Sequence, residues 1–245
     1  MKCLFTLILT ICSLTGFGQE QAKSILEKVD LNMSANSRVF ESTMTIHGKR
    51  NSRSITSRSY VVGSQKSFTE YLSPPREQGT KMLKLEEQLW IYSPSTDRTI
   101  QISGHMLRQS VMGSDLSYED MMEDRKLTEI YDSKITGQEQ IGQRKTWVLE
   151  LTAKTDDIAY ATRKLWVDTE RYIPLKEELY AKSGKLLKQS VMSDVERVGE
   201  RWFPKTIFYK DMLKQGSEGT EFKITKIQFD TEIPEHLFTK AALKL

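Results

Sequence analysis

The chain has 245 residues, 38% of them hydrophobic and 28% charged, with 36 Lys and Arg against 33 Asp and Glu. The formal net charge of +3 is spread through interleaved acids and bases, as at Glu86–Glu87, Glu177–Glu178 and Glu196–Arg197. Nucleic-acid binding needs a concentrated basic footprint, so that class is set aside. Both cysteines, Cys3 and Cys12, fall in the first eighteen residues, which leaves the rest of the chain without disulfides, thiolate nucleophiles or Cys-ligated zinc.

Residues 1–18 read as a signal peptide. Met1–Lys2 is a short positive start, Leu4 to Leu14 an apolar run too short to span a bilayer, and Gly16–Phe17–Gly18 a small-residue cleavage site. Lipid attachment at Cys12 is disfavoured, because the preceding Ile11 is large where that processing wants a small residue. The exported product would be residues 19–245, one domain with no low-complexity tract or linker to divide it.

The pattern along the chain starts with a helix over Glu20 to Asn36, whose Ile25, Leu26, Val29 and Met33 share one face. From Arg38 the period changes to two: Phe40, Ser42, Met44 and Ile46 alternate with Val39, Glu41, Thr43 and Thr45. Strands then follow at roughly ten-residue spacing, near Arg53 to Val62, Lys66 to Leu72, Thr80 to Leu85, Gln88 to Tyr92 and Arg98 to Ser103. Ser73–Pro74–Pro75 interrupts the pairing, since proline cannot donate to a ladder. The second half repeats the style, beginning at Lys126 to Thr136 and ending at Thr220 to Asp230. About a dozen antiparallel strands with few helices must curl, close or split. A mainly β, open antiparallel barrel of about eleven strands fits the N-terminal helix, which would plug its mouth or pack on its concave face. A two-sheet sandwich is the competing arrangement.

Catalytic signals are absent. His47, His105 and His236 are scattered without metal spacing, no HExxH, GxSxG or Gly-rich phosphate loop occurs, and Glu150, Glu177 and Glu178 read as solvated outer positions. Asp115, Glu119, Asp120 and Asp124 form the one dense carboxylate group. A divalent-ion site is one reading. The other is helix capping, with Ser114 or Ser117 as cap and Asp120 three residues after Ser117, and the missing ligand alternation favours it. Met106, Met112, Met121 and Met122 crowd a seventeen-residue stretch beside Leu116 and Tyr118. Methionine clusters suit either a surface that accepts variable apolar partners or the packing of a flap onto a sheet. Trp90, Tyr92, Trp147, Trp166 and Trp202 are aromatics on or beside strands that could line the concavity.

Leu89–Trp90–Ile91–Tyr92–Ser93–Pro94, Arg98, Ile102–Ser103–Gly104 and Met112–Gly113–Ser114–Asp115–Leu116–Ser117–Tyr118–Glu119–Asp120 together resemble the signature of the LolA-like outer-membrane lipoprotein-sorting proteins. Leu165–Trp166–Val167–Asp168, Ile173–Pro174–Leu175–Lys176, Trp202–Phe203–Pro204–Lys205, Ile233–Pro234 and Leu237–Phe238–Thr239 extend the resemblance along the chain. It departs from that family after Pro94, where several basic residues are usual and only Arg98 stands, and at Leu116, where Phe is common. The resemblance implies a periplasmic open barrel with a helix-lidded apolar cavity that binds lipid or lipoprotein acyl chains. It further implies no catalysis, no cofactor, no metal, only transient membrane contact, and an RND-type exporter as a partner. The expected cavity and lid residues are Phe40, Met44, Trp90, Tyr92, Met112, Leu116, Met121, Trp147 and Trp166, with Arg98 and Arg108 as docking positions for a partner or headgroup. A carrier is the leading functional expectation; a lipid-sensing adaptor of an exporter or stress regulator, and a glycan hydrolase, are the alternatives.

Overall fold

The computed structural model describes residues 14–245, with side chains from residue 19 onward. The signal peptide expected over 1–18, and both cysteines, therefore lie outside what the described side chains cover. The first helix, α1 (Leu14–Met33), buries Ala22, Ile25, Leu26 and Val29 along one stripe. It stops three residues before the expected Asn36, where the backbone and hydroxyl of Ser34 both donate to the Asp30 carbonyl.

A first antiparallel meander follows: β1 (Ser37–Gly48), β2 (Ser52–Val62), β3 (Lys66–Ser73), β4 (Lys81–Leu85), β5 (Gln88–Ser93) and β6 (Arg98–Ile102). Residues 103–130 then cross over without a strand, through two short 3-10 turns, α2 (Tyr118–Met122) and α3 (Leu127–Ile130). A second meander completes the chain: β7 (Tyr131–Ile141), β8 (Arg144–Ala153), β9 (Thr162–Asp168), β10 (Pro174–Tyr180), β11 (Leu186–Val198), β12 (Arg201–Asp211) and β13 (Ser217–Phe229). β13 pairs with β1, so all thirteen strands form one sheet in the order β6-β5-β4-β3-β2-β1-β13-β12-β11-β10-β9-β8-β7. The mainly β open barrel is therefore correct, with thirteen strands instead of about eleven. The short β4, β5 and β6, read from the sequence near Thr80, Gln88 and Arg98, each form their own ladder. Sheet hydrogen bonding leaves β6 and β7 as the two free edges, and the crossover bridges them. The strand expected from Lys126 begins only at Tyr131. Its first residues instead form α3, because Asp30 of α1 accepts from the Leu127 and Thr128 backbone N–H groups and caps that turn.

Strand alternation separates two faces. On the concave face, the α1 stripe packs on Leu149 and Leu151 of β8 and Leu165 and Val167 of β9. Across the hollow, Met44, Ile55, Tyr71, Met82, Leu89 and Ile102 receive the crossover, which contributes Leu116 and the half-buried Met106, Met112, Met121 and Met122. On the outer face, Phe68, Leu83 and Trp90 are covered by Ile233, Phe238, Ala242 and Leu243 of the C-terminal segment. Among the described residues, no helix is long and apolar enough to cross a membrane.

Candidate functional site

Two packed clusters, one under α1 and one under the crossover, leave a gap between them on the concave face. That gap is a cavity of about 380 Å³, within the range of ordinary small-molecule sites. Its apolar wall includes Phe40, Val61, Met192, Ile207, Phe222 and Ile224, and its lid edge is Leu116 and Met121. Register places Val61, Phe203 and Ile227 toward one end of the strands and Lys188, Tyr209 and Leu179 toward the other, so the cavity runs along the barrel.

The lid is fixed by polar anchors on both halves of the shell. Ser110 bridges Ser117, and Met112 and Gly113 turn the chain there through left-handed backbone, at φ 49° and 71°. Asp115, 1% exposed, accepts from Asp211 N–H (3.0 Å), Ser217 Oγ (2.7 Å) and Thr220 Oγ1 (2.7 Å). Lys214 donates to the Gly113 and Ser114 carbonyls, and Arg53 to that of Met112. Ser117 and Asp120 form a reciprocal capping box at the start of α2. The Asp120 carboxylate also takes the Lys188 ammonium and the Tyr160 hydroxyl. Past α2, buried Lys84 donates to the Met122 carbonyl and Arg38 pairs with Asp124. Asp115, Asp120 and Asp124 of the carboxylate group thus cap and rivet. Among the described residues, no group of three His, Cys, Asp or Glu side chains is arranged to hold a metal ion.

Several charges on the wall are paired within it. Arg163 pairs with Glu177 at 3.0 Å, the two side chains 13% and 12% exposed, and Ser190 and Tyr131 complete the network. Burial pushes the Asp120 carboxyl up, but the Lys188 ammonium with the Tyr160 and Ser117 hydrogen bonds outweighs it and holds the group below its ordinary value. Burial, then the facing Asp120 charge, raises the Tyr160 hydroxyl. Burial lowers the Lys84 ammonium, against the pull of Asp124 and Glu123.

Of the nine expected cavity and lid residues, Phe40, Leu116 and Met121 border the cavity. Met44 and Met112 lie beside it in the packed cluster under the lid. Trp147 stacks on Tyr172 at 5.6 Å, beside the α1 cluster. Trp90, Tyr92 and Trp166 are placed away from the cavity, because strand parity puts them on the outer face opposite inward Leu89, Ile91 and Leu165. There Trp90 and Tyr92 seat the C-terminal segment, while Trp166 donates to Glu139 with Lys176 over its ring. Arg98 and Arg108 are exposed, away from the cavity wall. Glu150 and Glu178 make ion pairs with Lys134 and Lys176, whereas Glu177 is not the solvated outer position expected of it: it faces inward beside Leu165. Sequence reasoning missed Lys84, Tyr160, Arg163 and Lys188. The one available signal was parity, which puts Lys84 and Lys188 on the same faces as Met82 and Ser190.

An incomplete antiparallel barrel, lidded by the crossover between its free edges, defines the LolA-like class. A crystal structure from Vibrio parahaemolyticus, described as an outer membrane lipoprotein-sorting protein domain, superposes with a TM-score of 0.80 at 23% identity, covering 93% of this chain and 100% of that one. A DUF1329 family protein from Desulfovibrio piger gives a TM-score of 0.83 at 21% identity, over 92% and 99% of the two chains. A LolA superfamily protein from Nitrosomonas europaea gives 0.76 at 25% identity, over 90% and 98%. A family model described as "Uncharacterized protein" matches residues 63–245, and the chain belongs to that family; it is a LolA-like protein. A search of curated protein sequences found no match.

Proposed function

We propose that this chain is an exported, periplasmic carrier that shelters an acyl chain of a lipid or lipoprotein beneath its crossover lid. The cavity of about 380 Å³ between the α1 cluster and the methionine-rich lid carries this reading. Each methylene withdrawn from water contributes about 0.8 kcal/mol, so one long chain supplies useful affinity yet stays transferable. Two acids on the wall are engaged, Glu177 by Arg163 and Asp120 by Lys188, so neither is free to serve as a general acid or base. The LolA superfamily relative and the lipoprotein-sorting relative support the same reading.

Native mass spectrometry of protein purified from envelope extracts is the test, together with uptake of a fluorescent fatty acid. Bound lipid and saturable uptake are expected; consistently ligand-free protein that takes up no fatty acid refutes the proposal. An RND-type exporter is the proposed membrane partner, and its pull-down should be lost on charge reversal of exposed Arg98 or Arg108.

A further inference from the structure

Most large apolar side chains left exposed stand alone, but Met212 and Leu213 are neighbours, 49% and 52% exposed, at the tip of the β12–β13 hairpin. The tip is held in place: Met212 N–H donates to the Leu187 carbonyl, and Leu213 N–H to the Asp211 carboxylate. Register brings two basic turns beside it. Gly48 pairs with Ser217, which sets the exposed Lys49 and Arg50 on one side, and Lys188 pairs with Asp211, which sets Lys182 and Lys185 on the other. With Lys210 and Lys214 in the hairpin itself, these bases outnumber the local acids Asp156, Asp211 and Glu218. The Lys182–Asp156 pair is largely exposed and neutralises little.

We infer that this end of the barrel docks on an anionic lipid bilayer, with Met212 and Leu213 entering the interface and the flanking bases meeting the headgroups. A protruding apolar tip suits a fluid surface, which closes around it without a preformed pocket. The basic rim adds attraction specific to negative leaflets. The hairpin is also the lid's anchor, through Asp211 N–H and Ser217 to Asp115 and through Lys214 to the Gly113 and Ser114 carbonyls. Tyr209 of the same hairpin, three residues before Met212, borders the cavity. Docking therefore acts on the element that holds the lid shut.

The test is co-sedimentation of the full chain with vesicles containing phosphatidylglycerol and, separately, with pure phosphatidylcholine vesicles. Wild type should bind the anionic vesicles selectively. Met212→Ser combined with Leu213→Ser should weaken that binding about tenfold or more, as should Lys49→Gln, Arg50→Gln and Lys185→Gln together. Leu213→Trp should add a blue-shifted emission component on anionic vesicles alone. Equal binding to both vesicle types, undiminished binding of the serine variant, or no emission shift from L213W overturns the inference. Fatty-acid uptake is measured in parallel, so that a failure of docking with uptake intact is told apart from a failure of the carrier reading.

Discussion

Asp120→Asn perturbs the lid at its most heavily bonded side chain. The carboxylate, 10% exposed, faces Lys188, 13% exposed, and also accepts from Ser117 and Tyr160. Breaking a buried ion pair from one side costs about 3–5 kcal/mol, because the other charge is left uncompensated. Residual solvent access to both groups reduces that figure, and the Asn carbonyl keeps part of a cap whose full loss would cost about 1 kcal/mol. We expect a net loss of about 2–3 kcal/mol in urea unfolding, or roughly 5–10 °C in Tm for a chain of this length. Adding Lys188→Met should recover part of the loss, and a double-mutant cycle should give a coupling of about 2 kcal/mol. Hydrogen exchange should quicken selectively at the amides of 117–122. A cost below about 0.5 kcal/mol, or strictly additive substitutions, would refute the assignment of this pair as the lid's clasp.

A carboxyl held below its ordinary value of 3.8 contributes stability that is complete above that value and is lost as pH falls through the lowered folded one. Lid protection factors, corrected for the intrinsic pH dependence of exchange, should therefore stay level from about pH 7 to 5 and fall below about pH 4, with Lys188→Met flattening the response. Ile207→Trp should fill the cavity and reduce fatty-acid uptake about tenfold while leaving the far-ultraviolet circular dichroism unchanged. Leu149→Ala, under α1 and fully buried, should cost about 2–5 kcal/mol in denaturant unfolding. Gly219→Ala should destabilise the β1–β13 seam, since φ is 105° there and the new Cβ would lie 2.2 Å from the Phe208 ring. Phe208→Ala should rescue it only in part, because the backbone strain remains.

Period-two alternation made the β meander legible, since a half-buried strand must put every second side chain on the apolar face. Phe40, Ser42, Met44 and Ile46 face inward as that rule requires. The capping box was legible for a similar reason: Ser117 and Asp120 satisfy each other within three residues. The cavity wall was not legible. Trp90 and Tyr92 share a strand with inward residues, and only the fold of the C-terminal segment over the opposite face shows which parity is core and which is hollow. Glu177 and Lys188 look solvated in one dimension, because their partners Arg163 and Asp120 are fourteen and sixty-eight residues away.

The two unpaired margins, β6 and β7, meet across the crossover instead of across a ladder. Spreading them breaks no interstrand hydrogen bond, so the shell can widen by releasing side-chain rivets while its backbone mesh stays whole. Under the proposed carrier function, capacity would be set by how firmly Asp115, Asp120 and Asp124 grip, and the resting volume would measure the clasped state, below the largest guest the envelope could admit.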